Sequence, residues 1–94
     1  MDNLVILYTM DGCPFCTMMK EQLNELNIEY HERDINEYKE EYDLFVEVTE
    51  NEFVPSFMII ENYKSKTPTP HVFAPERDYN EIVEGVEIIK KFVL

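Results

Sequence analysis

Apolar and polar positions change period along the chain, and each change marks an element. Asn3-Leu4-Val5-Ile6-Leu7-Tyr8 is an almost continuous apolar run with branched side chains, the pattern of a strand buried on both faces. Asp11-Gly12 predicts a turn, and from Pro14 the residues Phe15, Met18, Met19, Leu23 and Leu26 recur at helical spacing to about Asn27. Residues 28 to 33 alternate apolar with polar before an Asp34-Ile35-Asn36 break, which predicts a second strand. A crossover of that length makes the two strands parallel neighbours with a right-handed connection. Tyr38, Tyr42, Phe45 and Val46 stand three or four apart among acidic residues, predicting an amphipathic second helix from Asn36 to about Thr49.

The remainder reads less uniformly. In residues 51 to 66, Phe53-Val54-Pro55 leads into Ser56-Phe57-Met58-Ile59-Ile60, and the pattern fits a strand or a short helix begun by proline. Thr67-Pro68-Thr69-Pro70 breaks any helix, His71 to Ala74 predicts a short strand, and Ile82-Val83-Glu84 predicts another, the two forming a hairpin. Gly85 interrupts, and Val86, Ile89, Phe92 and Val93 return to helical spacing to the end. The expected order is strand-helix-strand, helix, an insertion over about 50–66, then strand-strand-helix, without internal repeats.

Ninety-four residues predict one domain, and a 45% hydrophobic fraction with six Phe and six Tyr is enough for one core. Twenty acidic residues against eight basic give a formal charge of −12, which repels a nucleic-acid backbone and an anionic membrane surface alike. Leu4 to Leu7 is too short for a secretion signal and Asp2 has the wrong sign for one; nothing approaches the length of a membrane span. A soluble, cytoplasmic, monomeric protein is expected, in a compartment where thiols stay reduced unless they work.

The chemistry concentrates in Cys13-Pro14-Phe15-Cys16. Cys13 falls at the N-cap of the first helix with Pro14 at N1, where a missing N–H costs nothing. The free amides and the positive end of the helix dipole favour thiolate, which can lower a cysteine pKa from about 8.5 into the range of roughly 3.5 to 7.5. Cys13 is the candidate nucleophile. Cys16, one turn on and further inside, is placed to attack a mixed disulfide on Cys13 and release the reduced substrate. Two other readings of the pair are a structural disulfide and a metal site. Only His31 and His71 could add ligands and neither has zinc-site spacing, so a metal would need a cluster shared between two chains. His31 reads as an ordinary strand residue and His71 as a surface or cleft residue.

Tyr8-Thr9-Met10-Asp11-Gly12-Cys13-Pro14-Phe15-Cys16 resembles the active-site signature of dithiol glutaredoxins, within the thioredoxin-fold superfamily. Thr69-Pro70-His71-Val72-Phe73 resembles the second family landmark, whose proline is cis and lies beside the sulfurs, and the run to Pro75 is similar to phage-encoded glutaredoxin/thioredoxin proteins. Glu84-Gly85-Val86-Glu87 resembles in part the third landmark, Gly-Gly-x-Asp. Val54-Pro55-Ser56 also resembles the proline motif, at a separation from Cys13 that suits a short glutaredoxin better. Order along the chain favours Pro70, because only from Pro70 do a hairpin, Gly85 and a final helix follow at family-like distance.

The resemblance implies an α/β, thioredoxin-like three-layer fold with a four-stranded mixed sheet. It also implies dithiol-disulfide exchange at Cys13 and Cys16, and substrate contacts from Tyr8, Pro14, Phe15, Thr69, Pro70, Gly85, Val86 and Glu87. Tyr8 fits a place over the sulfurs or a plain core position equally well. Glutathione is the implied reductant, and disulfide-containing proteins or glutathionylated substrates are the implied partners; no resident metal is expected. Three departures bear on glutathione: Met10 stands where the family carries a basic residue, Glu84 replaces the first glycine, and the net charge repels an anionic tripeptide. Lys20, a turn past Cys16, reads as a solvated charge. The departures suit a second reading, a thioredoxin-like hydrogen donor reduced by a flavoprotein thioredoxin reductase and able to serve a ribonucleotide reductase. A third is an acidic binding module whose cysteines serve a metal or a partner protein. Phe57 to Ile60 are expected to pad the second helix or offer a partner surface, outside the catalytic framework.

Overall fold

A computed structural model of the chain describes residues 2–94. The elements follow as β1 (Leu4–Thr9), α1 (Pro14–Glu25), β2 (His31–Asp34), α2 (Lys39–Thr49), β3 (Ser56–Glu61), β4 (Thr69–Phe73) and α3 (Ile82–Val93). They build one four-stranded sheet in the order β2-β1-β3-β4. β1 runs parallel to β2 and antiparallel to β3, which is antiparallel to β4. None of the described helices is long and apolar enough to cross a membrane.

Alternation along the two central strands sorts the core into two layers. Val5 and Leu7 of β1 and Phe57 and Ile59 of β3 face α1 and α3, where they meet Met19, Leu23, Val86 and Ile89. Ile6 and Tyr8 face the other way and pack with Tyr42 and Phe45 of α2. Helices on both faces explain why β1 and β3 read as continuous apolar runs. On the α2 side the buried Tyr8 hydroxyl donates to Glu41, whose other carboxylate oxygen pairs with Arg33 of β2. Burial raises the Tyr8 pKa and the hydrogen bond to Glu41 raises it further, so the phenol stays protonated. Burial also pushes the Glu41 carboxyl up, but Arg33 and Tyr8 together hold it below its ordinary value.

The segment expected as an insertion is instead the central strand β3. Val5 stands opposite Ile59 and Leu7 opposite Phe57, so residues 56–61 carry half of the middle of the sheet. A strand buried on both faces leaves no alternation in the sequence, which is why strand and helix were equally consistent with it. The hairpin therefore joins β3 to β4, not residues 71–74 to 82–84. The β-branched pair Ile82-Val83, read as strand, is the first turn of α3, begun by a reciprocal cap between Glu81 and Glu84.

Gly85 does not end an element; it lies inside α3 and faces α1. A Cβ there would stand 2.8 Å from Met19 Cε and 3.1 Å from the Tyr79 ring, so any side chain at this position has to displace the Met19 methyl and press on Tyr79. Gly85→Val is expected to destabilise the protein by about 1–3 kcal/mol through overpacking, read as a lower midpoint in urea with an unchanged slope.

Candidate active site

Cys13 takes an extended conformation (φ −99°, ψ 103°) at the N-cap of α1, with Pro14 as the first helical residue. Its sulfur accepts a hydrogen bond from the Cys16 amide at 3.1 Å. The two cysteines are joined as a disulfide, with Cα atoms 5.2 Å apart. Cys13 is partly exposed, whereas Cys16 is 2% exposed beneath it. An incoming sulfur therefore meets Cys13 first, and the amide that points at Cys13 stabilises negative charge there once the disulfide is reduced.

The other wall comes from far along the chain. The carbonyl oxygen of Val54 lies 4.0 Å from Cys13 Sγ, and the Val54–Pro55 peptide bond is cis. Pro55 is buried, and its carbonyl accepts a hydrogen bond from the Tyr79 hydroxyl. Burial raises the Tyr79 pKa, so this phenol remains a donor. Tyr42 donates to the Glu52 carbonyl at 2.8 Å and Asn51 to the Pro75 carbonyl at 2.6 Å, which fixes the 50–55 loop from both sides. A groove of about 600 Å³ opens from this wall, between Phe15 and Met18 of α1, Phe53 to Pro55, and the 75–83 segment with Tyr79.

A second cleft, of about 370 Å³, reaches the cysteines from Thr9, Lys20 and Glu32. Lys20 is not simply solvated: its ammonium pairs with Glu32 at 2.9 Å, and the buried Thr9 hydroxyl donates to the same carboxylate oxygen at 2.8 Å. Hydrogen bonds from Lys20 and then Thr9 hold the Glu32 carboxyl below its ordinary pKa.

Several residues expected around the sulfurs lie elsewhere. The cis proline is Pro55, not Pro70. Pro70 sits opposite Ile60 and Thr69 opposite Glu61, on the edge strand β4 at the end of the sheet remote from Tyr8 and the cysteines. An edge strand accepts proline because the missing N–H can face solvent. Tyr8 is fully buried on the α2 side, its ring tilted against Phe45 at 4.8 Å, and takes the core option of its two. Gly85 and Val86 are buried against α1, and Glu87 pairs with Lys90 on the surface, so none of the three lines the groove. Pro14 and Phe15 do flank the cysteines, Pro14 in the smaller cleft and Phe15 in the groove. His71 pairs with Glu61 at 3.2 Å and packs on Phe92; among the described residues no group of three or more His, Cys, Asp or Glu could hold a metal ion.

The family model for glutaredoxin matches residues 5–74, the span that holds the cysteine pair at the N-cap of α1 and the proline loop that faces it. The chain belongs to the glutaredoxin family. Glutaredoxins are thiol–disulfide oxidoreductases, and the chain is an enzyme of that class, with Cys13 and Cys16 in its Cys-x-x-Cys site. No curated protein matches it. Among solved structures, the thioredoxin-like protein BC3987 is 18% identical, with a TM-score of 0.60 over 95% of this chain and 99% of that one. A malarial protein is 15% identical, with a TM-score of 0.55 over the full length of both chains. Glutaredoxin 1 from Francisella tularensis, complexed with cacodylate, is 28% identical over 62% of this chain and 76% of that one, with a TM-score of 0.49. The first two likenesses concern the thioredoxin-like fold.

Sequence reasoning missed Phe53, Met18 and Tyr79 as groove residues. Only Val54-Pro55-Ser56 carried a readable signal, the spacing from Cys13; the packing of Tyr79 under Pro55 has no local signature.

Proposed function

We propose that this glutaredoxin reduces disulfides through a two-step exchange in which Cys13 attacks and Cys16 resolves. The Cys13 thiolate bonds to one substrate sulfur, the substrate S–S bond breaks, and the other sulfur leaves as a thiolate that takes a proton. Cys16, deprotonated in turn, attacks Cys13 Sγ, forms the Cys13–Cys16 disulfide and expels the second substrate thiol. Two electrons and two protons pass from the dithiol to the substrate. The observation that carries this reading is the asymmetry of the pair: an accessible Cys13 sulfur facing the Cys16 amide, over a buried Cys16.

Membership of the family supports glutathione as the source of electrons, in the cytoplasm, with disulfide-bearing or glutathionylated proteins as partners. A specific observation favours a second reading, reduction by a flavoprotein reductase of the thioredoxin type. Among the described residues, none that lines the groove beside Cys13 is a Lys, Arg or His able to receive a tripeptide carboxylate, and the lining includes Glu76 and Glu81. NADPH consumption with a small disulfide, run once with glutathione plus glutathione reductase and once with thioredoxin reductase alone, separates the two. Turnover in the first arm alone is the expected result for glutathione dependence, and turnover in the second alone replaces it with the thioredoxin-type cycle. Silence in both overturns both assignments of the reductant.

A further inference from the structure

The groove that opens from the Val54–Pro55 wall, whose Val54 carbonyl lies 4.0 Å from Cys13 Sγ, differs in character from the acidic surface around it. Phe15, Phe53 and Val83 project into or over it with 59%, 56% and 51% of their surface exposed, and the cis-proline wall and Tyr79 continue the apolar lining. Exposed aromatics this large on a small chain are costly unless something covers them. Charge enters the lining only as carboxylate, from Glu76 and Glu81. The cations nearest in the fold are already engaged: Arg77 donates to the Val72 carbonyl and pairs with Asp78, and Lys20 pairs with Glu32 in the other cleft. The net charge of −12 gives the long-range field the same sign.

We infer that the groove selects polypeptide disulfides whose cysteine stands close to a bulky apolar residue and a lysine or arginine. The apolar side chain is covered between Phe15 and Phe53, and the cation meets Glu76, Glu81 being engaged in capping α3, while its disulfide lies against Cys13. This rests on the proposed attack by Cys13 and adds the substrate class to it. The covalent step is the exchange already written, with the reduced protein as the only electron donor.

The test is single-turnover reduction by the prereduced protein of two disulfide-linked peptides of equal length, one with Phe and Lys beside cysteine and one with Gly and Glu. Hydroxyethyl disulfide, small and uncharged, serves as the common reference. At low salt the Phe/Lys peptide is expected to react at least about tenfold faster than the Gly/Glu peptide, a ratio within reach of electrostatic steering and a buried aromatic. The ratio should shrink at roughly 1 M salt, where charges are screened beyond about 3 Å, and in Glu76→Lys measured against the same two peptides. Equal rates for the peptides, or a ratio untouched by both salt and Glu76→Lys, overturn the inference while hydroxyethyl disulfide is still reduced. Failure to reduce hydroxyethyl disulfide overturns the underlying exchange and the inference with it.

Discussion

Cys13→Ser is expected to reduce no disulfide at all, with NADPH consumption in either coupled assay falling to the level without protein. A serine hydroxyl is essentially un-ionised near neutral pH and forms no S–O analogue of the mixed disulfide, so the amide of Cys16 has no sulfur anion to stabilise. Cys16→Ser is expected to behave differently. The first bond still forms on Cys13, but nothing resolves it, and intact mass spectrometry should find the protein carrying one substrate half. The contrast follows from position: Cys13 is accessible at the N-cap and Cys16 is buried one turn below it. Equal, full activity in Cys13→Ser would assign the attack to another group, and a Cys16→Ser protein that never accumulates an adduct would remove the resolving role.

The second large effect concerns residues 51–65. Replacing them with a short Gly/Ser loop is expected to unfold the protein, not merely to trim its surface. The change deletes β3 and with it the fully buried Phe57 and Ile59, the partners of Leu7 and Val5, and the Val54–Pro55 wall of the site. Burial of each such side chain is worth about 1.5–3 kcal/mol, and whole domains are stable by only about 5–15 kcal/mol. Loss of the near-UV circular dichroism and of cooperative urea unfolding would report it. A variant that keeps both, and still turns over a small disulfide, would show that the sheet closes without its central strand.

That this segment could be read as peripheral shows where sequence reasoning was strong and where it failed. The first half was legible where an element had its own period, as in the branched apolar run, the helical stripe from Phe15 to Leu26 and amphipathic α2; the alternation over 28–33 started the second strand three residues before His31 and put Asp34, its last residue, in the break. The cysteine pair was legible for a related reason, since N-cap, Pro14 and the Cys-x-x-Cys spacing act within one helical turn. Failures came where a residue's meaning depends on a distant partner. Pro55 and Pro70 have equally plausible local surroundings, and only pairing of β3 with β1 brings Val54 to Cys13. Gly85 reads locally as a helix breaker; what makes a residue without a Cβ suit that place in α3 is the packing of Met19 and Tyr79 against it. Tyr8 is adjacent to the motif in sequence, yet strand alternation turns it to the opposite face.

The sheet's two margins bear on how such a protein tolerates crowding. One margin is β2, only four residues long and made of His31, Glu32, Arg33 and Asp34. The other is β4, where Pro70 supplies no N–H to a neighbour. Neither side offers a foreign strand an apolar, uninterrupted ladder to extend. A chain with an exposed aromatic groove therefore still has little tendency to add copies of itself edge to edge into fibrous aggregates.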